Sequence, residues 1–483
     1  MCEAPCHGLL GVKSVGGPSA ARSKIRRRGG TRDLGLTLIR GRAGRAPKKD
    51  PKIALVLAGG AVSGGAFKVG GIAALENYLV GRGLCDLDTY VGLSAGALLA
   101  VPLAGGVRPD EMMRVLAGTS DVFDQLRPID FYSPNVAEFA ERPARFALDL
   151  LSFLPGIGRD LLRGLPGLPG AAGGAFREFV RDTSYSNFET LVTRVVEHTA
   201  PSRRLPAVTD YVPSGLFDNA ALERWLRRNL DRLSMPNDFG AFQRQRGVEL
   251  YLSACNLDTA ERVIFGGNEV NELTIAQAVQ ASTALPLFYK PARLNGIDYV
   301  DGGVRNTANI DVAIEKGADL VICYNPFRPF LNKVDSASAA ASGRRTGRYL
   351  ADRGAKLVAN QVFRTLLHSR LELGIQRYLA DDSFDGDIVL LEPHEDDASF
   401  FAMNPLAFWH RSEAMQRGFE SVHATIEAHF HELSEVFNRC GLALSRKAAG
   451  RRARRLREEH GWSPLARAQR GRRPARPLRV VGG

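Results

Sequence analysis

The chain has 483 residues and a formal net charge of +12, but residues 1–50 carry +9 and residues 446–483 carry +11, which leaves −8 between them. This argues against a nucleic-acid-binding body, because the basic excess belongs to the two ends. A hydrophobic share of 45% supplies an ample core, and six scattered cysteines without a Cys-x-x-Cys pair argue against a disulfide scaffold or a thiolate metal site.

Residues 1–50 are rich in Gly, Arg and Ser and offer few periodic apolar positions, so they read as a disordered basic arm. They lack the apolar run of a secretory signal, and no segment of 18 apolar residues occurs anywhere in the chain. The expected location is therefore cytoplasmic, with peripheral membrane attachment open. A folded body is expected over 51–440. It opens with Lys52-Ile53-Ala54-Leu55-Val56-Leu57, a continuous apolar run of the kind that forms a buried parallel strand. The loop Gly59–Gly65 follows, then a helical pattern through Phe67, Val69, Ile72 and Leu75, then a second strand ending at Leu93. Together these make one βαβ unit.

Residues 107–245 are less regular and read as a helical and irregular insertion. Within it, Leu151–Ala175 is apolar but broken by Pro and Gly. It fits either a mobile cover over a lipid-binding mouth or a surface insertion, and not a long stable helix. Asn219–Leu233 is an amphipathic helix. Strand and helix then alternate: strands at Val248–Ala254, Arg262–Phe265, Leu320–Cys323 and Asp387–Leu391, and helices at Ile275–Ser282 and Val312–Lys316. Residues 333–346 read as a loose linker, Pro405–Phe437 as a helix, and 441–483 as a second disordered basic tail. The fold class is α/β, with a mostly parallel central sheet between two layers of helices.

The chemistry centres on Gly92-Leu93-Ser94-Ala95-Gly96, a Gly-x-Ser-x-Gly sequence between a strand and a helix. Such an elbow presents a serine hydroxyl above the sheet. A serine needs a base for its proton and donors for the oxyanion it creates. The Gly59–Gly65 loop, through Gly59, Gly60, Ala61, Val62 and Gly65, offers backbone N–H donors at a helix start. It fails both the P-loop and the Gly-x-Gly-x-x-Gly patterns, so a nucleotide is not expected there. Two bases remain open at this point: His394, which follows a strand, and Asp301 of Asp301-Gly302-Gly303. His423, Glu427 and His431 share one helix face, but the outer pair would lie about 12 Å apart along the axis, too far for one ion. Neither metal nor cofactor is expected.

Glycine loop, Gly-x-Ser-x-Gly and a late Asp-Gly-Gly together resemble the patatin-like phospholipase family. The stretches Ala281–Pro286, Asn295–Gly303 and Ser214–Asp218 are similar to that family's text as well. The resemblance implies a Ser94–Asp301 dyad without histidine, an oxyanion hole in the glycine loop, and hydrolysis of acyl esters of phospholipids or related lipids. The substrate would be met at a membrane or micelle surface, with the basic ends available to anionic membranes and no specific nucleic-acid partner. The loop departs from the family in one respect. Ala61 and Gly64 stand where a third glycine and an Arg or Lys are usual. Two other readings stand beside this one: a catalytically weak, membrane-recruited lipid-binding protein on the same scaffold, and a Ser-His-Asp esterase using His394.

Overall fold

A computed structural model describes residues 30–33, 35–41, 49–145, 168–184, 211–267, 272–332, 349–380, 384–395 and 397–462, with a few isolated positions between. The expected arm over 1–29, the stretch 151–167, the linker 333–346 and the tail over 463–483 lie outside the described residues.

The strands are β1 (Gly30–Asp33), β2 (Leu36–Ile39), β3 (Ile53–Leu57), β4 (Leu79–Val80), β5 (Thr89–Leu93), β6 (Gly215–Phe217) and β7 (Glu249–Asn256). They continue with β8 (Arg262–Phe265), β9 (Leu287–Tyr289), β10 (Ala292–Leu294), β11 (Ile297–Asp301), β12 (Leu320–Tyr324), β13 (Asp387–Leu391) and β14 (Ala443–Leu444). Ten of them form one sheet in the order β1-β2-β13-β12-β3-β5-β7-β11-β10, with β8 also on β7. Its centre, from β13 to β7, is parallel, and both flanks are antiparallel. The sheet is thus mixed, and the α/β class with helices on both faces holds.

β3 shows why the apolar run is continuous. Ile53, Leu55 and Leu57 join the core on one face, while Ala54 and Val56 join the core on the other. β12 divides in the same way, with Ile322 on the first face and Cys323 on the second. A strand covered by helices on both sides has no position left for a polar side chain.

Helix α1 (Ala61–Tyr78) is buried along nearly its whole length, because the helix Arg411–Ala428 crosses it backbone to backbone. A Cβ at Gly70 would fall on the Met415 carbonyl, and one at Gly418 on the Phe67 carbonyl. No rotamer change relieves a clash with main chain. Gly418→Ala should therefore lower the urea unfolding free energy by about 3 kcal/mol. Helix propensity alone predicts a gain of about 1 kcal/mol, so the sign of the change is the test.

Several expectations require correction. Leu36–Ile39, placed in a disordered arm, forms β2 and pairs with β13. Leu168–Arg181, partly within the stretch judged too broken for a helix, is a helix of 14 residues; Pro169 sits in its first turn, where its missing N–H does no harm. The long C-terminal helix divides at His429 into Arg411–Ala428 and Phe430–Arg439. The start of the expected basic tail is also ordered. Ala443–Leu444 pairs with β4, and Arg446–Glu459 is a helix whose Ala448, Ala449, Ala453 and Leu456 are buried. Arg452 on it donates to the carbonyls of Glu76, Asn77 and Leu79, closing the end of α1 with a cation.

Candidate active site

Ser94 stands between β5 and helix α2 (Ala95–Ala104), with φ 54° and ψ −127°. A non-glycine residue is strained in that region. Its neighbours explain how it is held there. A Cβ at Gly92 would lie 2.6 Å from the Ala97 Cα, and one at Gly96 would strike the Leu57 carbonyl. Glycine at both positions lets α2 turn directly over the ends of β3 and β5. The Ser94 N–H donates to the Ser282 hydroxyl (2.8 Å), which in turn donates to the Ser253 carbonyl (2.6 Å). Sequence reasoning did not single out Ser282.

Asp301 reaches the same point by strand pairing. Leu93 is registered with Ser253 on β7, and Ala254 with Asp301 on β11. The last residues of β5 and β11 are therefore two strands apart at one edge of the sheet. Gly302 rests on this floor, where a Cβ would lie 2.7 Å from Leu93 and 2.8 Å from the Ser253 carbonyl. The Gly303 N–H donates to Asp301 Oδ1 (2.8 Å). Ser94 and Asp301 line the same cavity, with the serine hydroxyl near enough to the carboxylate to favour its charged form. Burial pushes that carboxyl up to about 6, against the opposing pull of the Ser94 hydroxyl, the Gly303 hydrogen bond and the charge of Lys68.

Lys68 is the main residue of the site that sequence reasoning missed. It lies on α1, fully buried, and its ammonium donates to the carbonyls of Ala58 and, at 3.3 Å, Gly59. Burial lowers it to about 7, with the charges of Asp301 and Cys323 acting the other way. In a trans peptide the N–H points opposite to the C=O. By holding two consecutive carbonyls, Lys68 leaves the Gly59 and Gly60 N–H groups facing away from itself. Gly59 is close to the serine, since a Cβ on it would be 3.5 Å from the Ser94 Cβ. The cation missing from the loop is thus supplied from the following helix. Its signal in the sequence was a lone lysine in the apolar run from Ala66 to Ala74.

These groups open into one cavity of about 730 Å³. Gly59, Gly60, Ala61, Val62, Gly65, Ser94, Asp301 and Gly303 all line it, and Gly92, Gly96 and Gly302 support it from behind. Its walls are largely aliphatic and aromatic, among them Leu98, Leu99, Leu222, Phe327 and Met403. The N-termini of α1 and α2 both face it, so the positive ends of two helix dipoles meet near Ser94. His394 is placed elsewhere: its ring lies 3.3 Å from the Thr425 hydroxyl, and it does not line the cavity. His423 and Glu427 both engage the Tyr78 hydroxyl (2.7 and 2.6 Å), while His431 is exposed beside Glu435.

A sequence model of the patatin-like phospholipases matches residues 55–314, more than half of the chain. The chain belongs to the patatin-like phospholipase family. It is accordingly a carboxylic-ester hydrolase by family. Similar solved structures include VipD from Legionella pneumophila, 15% identical over 85% of this chain and 72% of that one, with a TM-score of 0.31. ExoU from Pseudomonas aeruginosa, in complex with SpcU, is 16% identical over 86% of this chain and 61% of its own (TM-score 0.30). Human GIVD cytosolic phospholipase A2, in complex with methyl gamma-linolenyl fluorophosphonate, is 11% identical over 83% and 59% (TM-score 0.30). This chain thus spans about six tenths of the length of ExoU and of the human phospholipase. The family assignment rests on the sequence match and not on these superpositions.

Proposed function

We propose that this patatin-like chain hydrolyses the acyl esters of phospholipids or related lipids through a Ser94–Asp301 dyad. The observation that carries the reading is the placement of Ser94, on its strained strand-to-helix turn, with the buried Asp301 carboxylate in one largely apolar cavity. As the Ser94 oxygen attacks the ester carbonyl, Asp301 takes its proton. The oxyanion is met by the N–H groups of Gly59 and Gly60, with Ala61, Val62 and Gly65 completing the loop. Collapse expels the alcohol, which receives the proton from Asp301, and leaves an acyl-enzyme. A water activated by Asp301 then releases the fatty acid. An apolar wall suits an acyl chain, which gains about 0.8 kcal/mol for each buried CH₂.

A carboxylate is a weak base unless burial raises it toward the working pH, and Asp301 meets that condition. A Ser-His-Asp triad would need an imidazole at the serine, and His394 is occupied at Thr425. His394→Ala should therefore keep most of the phospholipid hydrolysis. Loss of activity in that variant together with an active Asp301→Asn would replace the dyad by a triad. An inert wild type that still sediments with vesicles would favour a binding protein on this scaffold.

A further inference from the structure

The helix Ala355–Ala380 has two apolar faces. Leu357, Leu367, Leu371 and Ile375 are buried, with Leu371 and Ile375 in the core of the second sheet face. Val358, Val362, Phe363, Leu366 and Leu373 on its other side are 39–66% exposed. The outer face of a surface helix is ordinarily polar, and an exposed apolar stripe marks an interaction site. This one adjoins the active-site cavity: Phe363 and Leu366 line the cavity mouth, and so do the exposed Leu287 and Val304.

The helix is also firmly held. Buried Arg364 donates to the carbonyls of Pro326 (3.0 Å) and Arg328 (3.2 Å), Thr307 donates to the Leu367 carbonyl (2.7 Å), and Asn360 to that of Phe401 (2.8 Å). The exposed stripe therefore belongs to a fixed platform. Its charges are mostly of one sign. Lys356, Arg370 and Arg377 are exposed along it with Arg353 just before it, against Asp352 and the half-buried Glu372. An apolar stripe flanked by cations is the pattern of a helix lying in the plane of a bilayer surface. No helix among the described residues is long and apolar enough to cross a membrane.

We propose that the outer face of Ala355–Ala380, with Leu287 and Val304 across the mouth, is the surface on which the protein rests against an anionic phospholipid membrane. The inference deepens the lipid-hydrolase reading and rests on it for its purpose. An acyl chain drawn from the bilayer would enter between Phe363, Leu366, Leu287 and Val304 without crossing water. The cations would sit at headgroup level, where the negative surface attracts each of them.

The test is co-sedimentation of the full chain with phosphatidylcholine vesicles, with and without phosphatidylglycerol. Val362 and Leu373 do not line the cavity, so Val362→Asp/Leu373→Asp should bind either vesicle at least about tenfold more weakly. It should still turn over a water-soluble short-chain ester at the wild-type rate. Arg353→Glu/Arg377→Glu should lose about tenfold or more on the anionic vesicles only, and the loss should shrink in high salt. Val362→Gln/Leu373→Gln, which keeps the helix uncharged, should behave like the aspartate pair if burial in lipid is what matters. Ser94→Ala should bind as wild type, so a failure of the catalytic reading leaves this result intact. Vesicle binding by the helix variants equal to wild type overturns the proposal, and so does a wild type that does not bind. A dimer in gel filtration that the same variants split, with vesicle binding unchanged, would assign the face to a second copy and overturn it equally.

Discussion

Asp301→Asn is expected to lower kcat/KM for a short-chain ester by about 10³-fold, because it removes the base while keeping the shape of the site. The pH profile of the wild type should carry the same signature. Asp301 acts as a base only when ionised, and its carboxyl is raised to about 6. Activity should therefore rise through pH 6 and level off above it, failing on acidification at a pH where ordinary carboxylates are still charged. Stability should move the other way. A carboxyl whose pKa is raised by folding favours the fold at low pH, and that contribution is lost as pH rises through about 6. At pH 7.5 the asparagine variant should thus melt no lower than wild type, which separates loss of chemistry from loss of fold. A variant that retains activity, or a wild-type acid limb near pH 4, would remove Asp301 from the base role.

Lys68→Met should lower kcat by about 10²-fold with KM little changed, the size of effect seen when an oxyanion donor is lost. Methionine fills a similar volume but leaves the Ala58 and Gly59 carbonyls without their donor, so a modest fall in melting temperature should accompany the loss. A further readout distinguishes this positioning role from simple packing. The Lys68 charge pulls the Asp301 carboxyl down, so without it the acid limb of the residual activity should shift above 6. An unshifted limb with unchanged kcat would make Lys68 a structural residue only.

These two predictions differ in how far the sequence announced them. Ser94 and Asp301 were legible because their surroundings admit almost no other residues. Gly92 and Gly96 are glycine since main chain passes where a Cβ would be, and Gly302 since it lies on the floor of β5 and β7. Such positions leave a fixed pattern in the chain. Lys68 leaves none of that kind. Its ammonium is buried at the ends of β3 and β11, on the Ala58 and Gly59 carbonyls and near Asp301, and helix periodicity cannot report which helix is covered on every side. Composition misled at both ends for a related reason. The apolar residues of β2 and of Arg446–Glu459 are few, but all of them are buried, and the surrounding arginines outweigh them in any average. Arg452 is even recruited to close α1. The outer face of Ala355–Ala380 was hidden because its apolar residues are indistinguishable in sequence from those that fill the core.

Treating the purified chain with a fluorophosphonate and mapping the adduct by peptide mass spectrometry shows whether Ser94 is a nucleophile activated at this site. A single covalent adduct on Ser94 is expected, absent from Ser94→Ala and retained in His394→Ala. An unlabelled wild type, or an adduct on another residue that survives Ser94→Ala, would contradict that role.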